Sequence, residues 1–414
     1  MRLTMMGTRG VPARYGGFET AVEEIGRRLV DRGHEVTVFC RQPGDPEYLG
    51  MRRVELPALR FRAAETLSHS VASATRIVRE AKRDPASRPD MVFLFNAANS
   101  PVLPMLHRAG IPVAVHVDGL EWRRGKWSGI GRRYYLGAEG LAVAWADALI
   151  ADAVGIAEYY QQKFGVETEQ IAYGAPLLGS PSRARLAELG LESDGYHLVV
   201  ARTEPENNVD LIVAGYQSSA CRLPLVIVGG TAYETEYQRD LATRISSDDR
   251  IRQLGPIYDQ DLLDSLYAGS RTYVHGHTVG GTNPSLLRAL GAGSCVLATG
   301  NTFNAEVLGG AGLLFDTVAE LRTLLVAAER DPLLNARVRN ACRDRAAAYS
   351  WDDVSDRYEE LAKRLADGWR RGRQELRPAL RTAMRVNDEA VPRQAPLPFP
   401  QPVRQLDDGD ASVA

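Results

Sequence analysis

The chain has 414 residues, 44% of them hydrophobic, and carries 50 Lys and Arg against 52 Asp and Glu. That length accommodates two domains of ordinary size with an apolar core in each. A near-neutral charge excludes a dedicated nucleic-acid binder, whose affinity rests on neutralising phosphates.

No run approaches the ~20 consecutive apolar residues needed to span a bilayer. The first residues, MRLTMMGTRG, read as a strand and a polar loop rather than a signal peptide. A strand Leu3–Met6 is followed by a helix over Thr20–Arg32 and a strand Val36–Cys40. A helix over Glu65–Lys82 leads to strands Met91–Phe95 and Val113–Val117, then to a strand Ala148–Ala151 and a helix Gly155–Lys163. The pattern restarts with strands at His197–Ala201, Leu225–Val228, Thr272–His275 and Cys295–Ala298. Short apolar runs alternating with amphipathic helices imply parallel sheets covered on both faces, an α/β class. Two such series imply two doubly wound Rossmann-like domains, 1–175 and 176–349, with the boundary in the Gly-, Pro- and Ser-rich stretch GAPLLGSPS. A last helix begins at Trp351 behind the cap residue Ser350 and accounts for 350–372. From 373 to 414 six prolines, several arginines and the acidic run DDGD predict a disordered tail. Cys40, Cys221, Cys295 and Cys342 form no CxxC pair and read as buried apolar residues in a reducing cytoplasm.

Two loops carry the chemistry. HGHTVGGTNPSLLRAL (275–290) is a strand end, a glycine-containing polar turn and a helix opened by Thr-Asn-Pro. Such a junction directs backbone N–H groups and the positive helix end at one spot, which makes an anion site. GTRGVPARYGGFET (7–20) is a similar loop after the first strand. One loop in each half implies a cleft closing on a phosphorylated ligand. Neither fits GxGxxG. The second strand ends FCRQ with no acid for an adenosine ribose, although Arg41 would suit a 2′-phosphate. GxxxxGK[ST] and HExxH are absent, so no dinucleotide cofactor, P-loop or HExxH metal site is expected.

Three segments together resemble the retaining family 4 glycosyltransferases of GT-B fold, and most closely a rhamnosyltransferase-like branch. They are GTRGVPARYGGFET, VDGLEWRRGKW (117–127), and VARTEPENN (200–208) with HGHTVGGTNPSLLRAL. The closing YSWDDVSDRYEEL (349–361) is similar to the helix that crosses back to the first domain in that fold. The resemblance covers about residues 1–368. It implies a nucleotide-sugar donor held by the second domain, an acceptor held by the first, and metal-free transfer with retention. It places Arg202 on the donor diphosphate, with Asn207 where relatives carry a second cation. Gly16 and Gly17 would allow close backbone approach to the donor phosphate from the opposite wall, and backbone N–H groups around Gly281, Thr282 and Asn283 would cradle phosphate. Relatives carry two glutamates seven residues apart in the second-domain loop; here they are Gly280 and Arg288. The missing ribose contact suits a deoxyribose donor such as dTDP-L-rhamnose. Arg288 is left to reach a phosphate or to pair with an acid across the cleft.

The segment HVDGLEW ends a strand on the side where open parallel sheets bind ligands. Asp118 takes the place where relatives carry a sugar-contacting His, with Glu121 and His116 as further catalytic candidates. WRRGKWSGIGRRYY (122–135) interleaves five cations with four aromatics. Trp122, Arg123, Arg124, Lys126, Trp127, Arg132 and Arg133 therefore suit a polyprenyl-diphosphate-linked acceptor or an anionic inner-leaflet surface. A solvated basic loop with packed tryptophans would share this composition. The expected activity is glycosyl transfer onto a glycan or lipid-linked acceptor in cell-surface polysaccharide synthesis. The alternatives are a non-catalytic nucleotide-sugar-binding scaffold and a GT-B sugar-nucleotide epimerase.

Overall fold

A computed structural model describes residues 1–13, 16–59, 65–117, 119–123, 129–230 and 235–385. The first sheet comprises β1 (Arg2–Met6), β2 (Glu35–Cys40), β3 (Glu47–Tyr48), β4 (Met51–Glu55), β5 (Met91–Phe95), β6 (Val113–Val117), β7 (Ala148–Ala151) and β8 (Glu169–Gln170). Its order is β3-β4-β2-β1-β5-β6-β7-β8, parallel except for the short β3–β4 pair. The second sheet comprises β9 (His197–Val200), β10 (Leu225–Val228), β11 (Ile251–Gly255), β12 (Thr272–His275), β13 (Val296–Thr299) and β14 (Leu313–Phe315). Its order is β11-β10-β9-β12-β13-β14, parallel throughout. The two doubly wound α/β layers expected from the alternation are present. Strands such as β5, with all five residues MVFLF buried, read as unbroken apolar runs because helices cover both faces.

In each sheet the strand order reverses once, between β1 and β5 and between β9 and β12. Loops leaving the carboxyl ends on either side of such a reversal diverge and open a crevice, where open α/β sheets bind ligands. The glycine-rich segment 7–17 follows β1, and 276–283 follows β12. Topology therefore places both singled-out loops at a crevice.

The helix Trp351–Ala366 returns from the second domain to the first. Ser350 caps it by accepting from the N–H groups of Asp352 and Asp353, both at 3.2 Å. Arg32 of the first domain pairs with Asp356 at 2.6 Å and with Glu359 at 3.2 Å. The Tyr358 ring lies 4.9 Å from that of Phe93. One apolar cluster accordingly joins residues of both sheets and this helix.

The tail expected from residue 373 does not begin there. A further helix, Leu376–Met384, packs against the helix Gly129–Trp145 with Ala379 and Ala383 wholly buried. Its apolar face is built of alanines, so composition alone concealed it. Residues 386–414 of the expected tail lie outside the described residues.

Candidate active site

The carboxyl ends of the two sheets meet loop to loop. A Cβ on Gly119 would stand 2.2 Å from the Cα of Gly280, and one on Gly281 would stand 2.0 Å from Oδ1 of Asp152. Only glycine permits such approach. The Thr282 hydroxyl donates to the carbonyl of Asp152. Gly17 packs on Pro284. The glycine turn of the second domain is thus seated on the turns that follow β6 and β7, with the start of the helix Gly17–Asp31 beside it.

Each wall is built locally. On the second domain, Asn283 caps the helix Pro284–Gly291 by accepting from Ser285 N–H at 2.9 Å, and Pro284 stands at the first helical position, where no donor is needed. Gly280 adopts φ +116°, which turns the chain into that helix. The turn before it is rigidly held. The His277 carbonyl accepts from Asn301 Nδ2 at 2.9 Å, Asn304 Nδ2 at 3.0 Å and Thr299 Oγ1 at 3.2 Å. Thr278 N–H donates to the Glu206 carbonyl at 2.9 Å. The positive helix end therefore arrives preorganised, which favours developing negative charge.

Arg202 follows β9 at the strand-order reversal. Its side chain is 52% exposed, with Glu204 at 3.3 Å, so its charge is available to an anion at the loop. Asn207, expected on a diphosphate, has both ends of its amide engaged inside the protein. Its Nδ2 donates to the Arg202 carbonyl at 2.8 Å, and its Oδ1 lies 2.7 Å from Nδ1 of His277. It ties the two loops of the second-domain wall together. Arg288 is bound to Asp264, an acid of its own domain rather than one across the cleft.

On the first domain, Gly16 adopts φ +80° and begins the helix Gly17–Asp31. Glu19 in its first turn accepts from Arg9 N–H at 3.0 Å, and burial pushes its carboxyl above the usual range. His116 at the end of β6 is fully buried in an aromatic cage. It stacks on Tyr173 at 5.5 Å and Phe95 at 5.7 Å, with Phe18 edge-on at 5.1 Å. Neither ring nitrogen has a hydrogen-bond partner, and burial lowers its pKa to about 3. It is a neutral packing residue beneath the site. Glu121 is 9% exposed in the turn Glu121–Arg123. Asp118, Arg124, Lys126 and Trp127 lie outside the described residues.

Trp122 corrects the membrane expectation. It is 4% exposed, and its ring is covered by Arg132 at 5.1 Å and Lys163 at 5.6 Å. Lys163 is itself buried against Glu139 at 3.3 Å and Tyr159 Oη at 2.6 Å. This tryptophan anchors the turn after β6 in the core. Arg123, Ile130 and Arg133 remain exposed beside it, Ile130 at 88%.

Several residues of the junction carried no local signal. Glu306 of the second domain accepts from Val154 N–H at 2.8 Å, at the start of the first-domain helix Val154–Phe164, whose own cap residue Ala153 offers no side-chain acceptor. Phe303 packs on Gly155 beside it. Asp152 had a signal, its place at the carboxyl end of a strand, but nothing in the sequence paired it with Thr282. Among the described residues one cluster has metal-ligand chemistry, His197, Cys221 and Glu329. It lies at the amino end of β9, away from the cleft. Its carboxylate already accepts from His197 and from the N–H groups of Arg222 and Leu223, all at 3.0 Å.

A family model described as a domain of unknown function, DUF1972, matches residues 1–176. O-antigen chain mannosyltransferase B of Escherichia coli is 32% identical over 135 residues, which is 32% of this chain and 35% of that protein. The match thus spans about a third of the relative's length. Sucrose-phosphate synthase of Thermosynechococcus elongatus superposes with TM-score 0.74 at 19% identity, over 88% of this chain and 98% of that one. Anabaena HepE in complex with UDP-glucose superposes at 0.70 and 17%, over 88% and 100%. WaaG, a glycosyltransferase involved in lipopolysaccharide biosynthesis, superposes at 0.67 and 16%, over 89% and 100%. The chain has the GT-B fold, two Rossmann-like domains facing across a cleft.

Proposed function

We propose that this chain is a glycosyltransferase that moves a sugar from a nucleotide donor to a glycan or lipid-linked acceptor in surface-polysaccharide synthesis. The observation that carries the reading is the seating of the second-domain glycine turn, 280–283, on first-domain residues Gly119 and Asp152. A sugar nucleotide departs as a diphosphate, and a preorganised helix end with Arg202 beside it would take up that charge without a metal. Asp118 and Glu121 would supply the polar groups at the reacting centre. The partial match to an O-antigen mannosyltransferase and the UDP-glucose held by HepE support the donor class and the biosynthetic setting. L-Rhamnose from dTDP-rhamnose, with retention, is the finer reading. It rests on the family resemblance and on the absence of a carboxylate at Gly280 and Arg288.

The enzyme would work in the cytoplasm at the inner face of the membrane. Among the described residues no helix is long and apolar enough to cross one. Arg123, Arg133 and Ile130 would form the surface offered to an anionic acceptor lipid.

Calorimetric titration with dTDP, UDP, GDP and ADP, each with and without EDTA, tests the reading. One nucleoside diphosphate is expected to bind tightly and independently of EDTA, and preference for dTDP would favour the rhamnosyl assignment. If none binds, the donor site is inactive and the non-catalytic scaffold becomes the better account.

A further inference from the structure

A second charged cavity lies away from the cleft, at the amino ends of β6 and β7. It has a volume of about 430 Å³ and is lined by His107, Pro112, Asp147, Arg370, Arg371 and Arg373, among others. Pro112 immediately precedes β6 and Asp147 immediately precedes β7, whereas the active-site turns leave the opposite ends of those strands. Five residues of β6 separate the two levels by about 16 Å. The size falls within the roughly 300–1,000 Å³ typical of small-molecule sites.

The charges in this cavity do not balance. Asp147 is the one carboxylate on the wall, and it is saturated. Its Oδ2 accepts from Val113 N–H at 2.9 Å, and its Oδ1 takes Arg370 Nε at 2.9 Å together with Arg373. Arg371 meets neutral acceptors, the carbonyls of Ala142, Val143 and Gly372. Arg373 also meets the His107 ring at 2.9 Å, and that ring rests on Trp145 at 5.2 Å. The Nε groups of Arg371 and Arg373 are buried without a partner. A guanidinium presents a planar fork suited to phosphate, and a buried donor left unmet is costly. Burial, and then the charge of Arg373, push the Arg371 guanidinium down to about 10, as expected where positive charge is not offset.

We propose that this cavity binds a phosphate group carried by a small molecule, at a site separate from the donor cleft. Three arginines within four consecutive residues, 370–373, form a strap just after the crossover helix, and the ligand would bridge that strap to the first domain. Such a ligand stabilises the folded chain by mass action. Inorganic phosphate and a phosphate ester such as a hexose monophosphate share the recognised group, and the cavity's size favours the ester.

Calorimetric and thermal-shift titrations of the full chain with sodium phosphate and with glucose 1-phosphate test the proposal. The wild type should bind the ester and gain in Tm. Arg373→Gln should weaken binding at least tenfold, Arg373→Lys less, and Arg202→Gln not at all. His107→Glu places a carboxylate in the cavity from the helix Leu103–Arg108, opposite the strap, and keeps Asp147 and all three arginines in the chain. It should abolish binding even if Arg373→Gln fails to fold. Binding lost in Arg202→Gln but kept in His107→Glu would locate the anion in the cleft and overturn the proposal. So would the absence of any binding by the wild type. Inorganic phosphate binding as tightly as the ester would overturn the small-molecule assignment. The outcome is independent of whether nucleoside diphosphates bind in the cleft.

Discussion

Arg202 and His116 illustrate how burial decides a residue's role. Both stand at the carboxyl end of a strand. Arg202 is half exposed with a single acid nearby, and so its charge can act on a ligand. A charge-assisted hydrogen bond contributes about 1.5–3 kcal/mol. Arg202→Gln should therefore weaken nucleoside diphosphate binding roughly 10- to 100-fold. Its Tm should stay unchanged, and a Tm drop matching the loss would mark a structural role instead. His116 is the reverse case. Buried, it is held neutral with a pKa of about 3, as is His275, and His69 is lowered to about 4. All three values lie below the ordinary 6.5, so between about pH 6.5 and 4 the unfolded chain binds more protons than the folded one. Stability should therefore fall as pH drops through that window, by up to ~1.4 kcal/mol per pH unit for each group. His116→Phe keeps the aromatic stacking and should remove one proton from that slope, measured by denaturant unfolding at pH 4.5, 5.5 and 6.5. An unchanged slope would show that His116 does not titrate in this way.

At the scale of elements, two loops and two helix ends form the junction. The turn 276–283 is held by Asn301, Asn304 and Thr299 from below and by Glu206 from the side, so it cannot yield easily when pressed from across the cleft. Gly119→Ala would put a methyl group 2.2 Å from the Gly280 Cα. The loops must then separate, and a misplacement of ~1 Å at a reacting centre costs about 100-fold in rate. Turnover should fall by that order while the isolated helix content, read by circular dichroism, stays constant. Normal turnover would mean that closure at this contact is not needed. Glu306 caps a helix in the other domain, so closure also settles an N–H group that the local sequence leaves unmet.

At the scale of the whole molecule, the crossover helix, the arginine strap and the helix Leu376–Met384 wrap the second half of the chain back over the first. Ala379 and Ala383 are wholly buried against the helix Gly129–Trp145, and Gln374 donates to the Phe164 carbonyl. Removing residues 374–414 should expose that seam and lower Tm by a few degrees, at ~2–4 °C per kcal/mol. Removing only 386–414 should leave Tm unchanged. Equal Tm values for the two truncations would show that the helix adds nothing to stability.

Much of this architecture was legible because it rests on local chemistry. Alternating apolar runs and amphipathic helices specify parallel sheets, and parallel sheets place ligand loops at carboxyl strand ends, so 7–17 and 276–283 could be found by position and glycine content. Ser350 and Asn283 could be assigned as caps, since a cap is satisfied within three residues. The edge strand β11 (IRQLG), and β4 (MRRVE), flanked on its outer side by only the two residues of β3, carry no unbroken apolar run because an open or barely covered side admits charged side chains. Other features were decided by the tertiary structure alone. Asn207 meets His277, Arg288 meets Asp264, Glu306 meets Val154, and Asp147 meets the arginine strap. Each pairing joins residues 24 to 226 positions apart. No spacing rule reaches that far. Which buried polar group finds which partner depends on how the two domains and the returning C-terminal segment pack, because each must be satisfied by whatever the fold brings beside it.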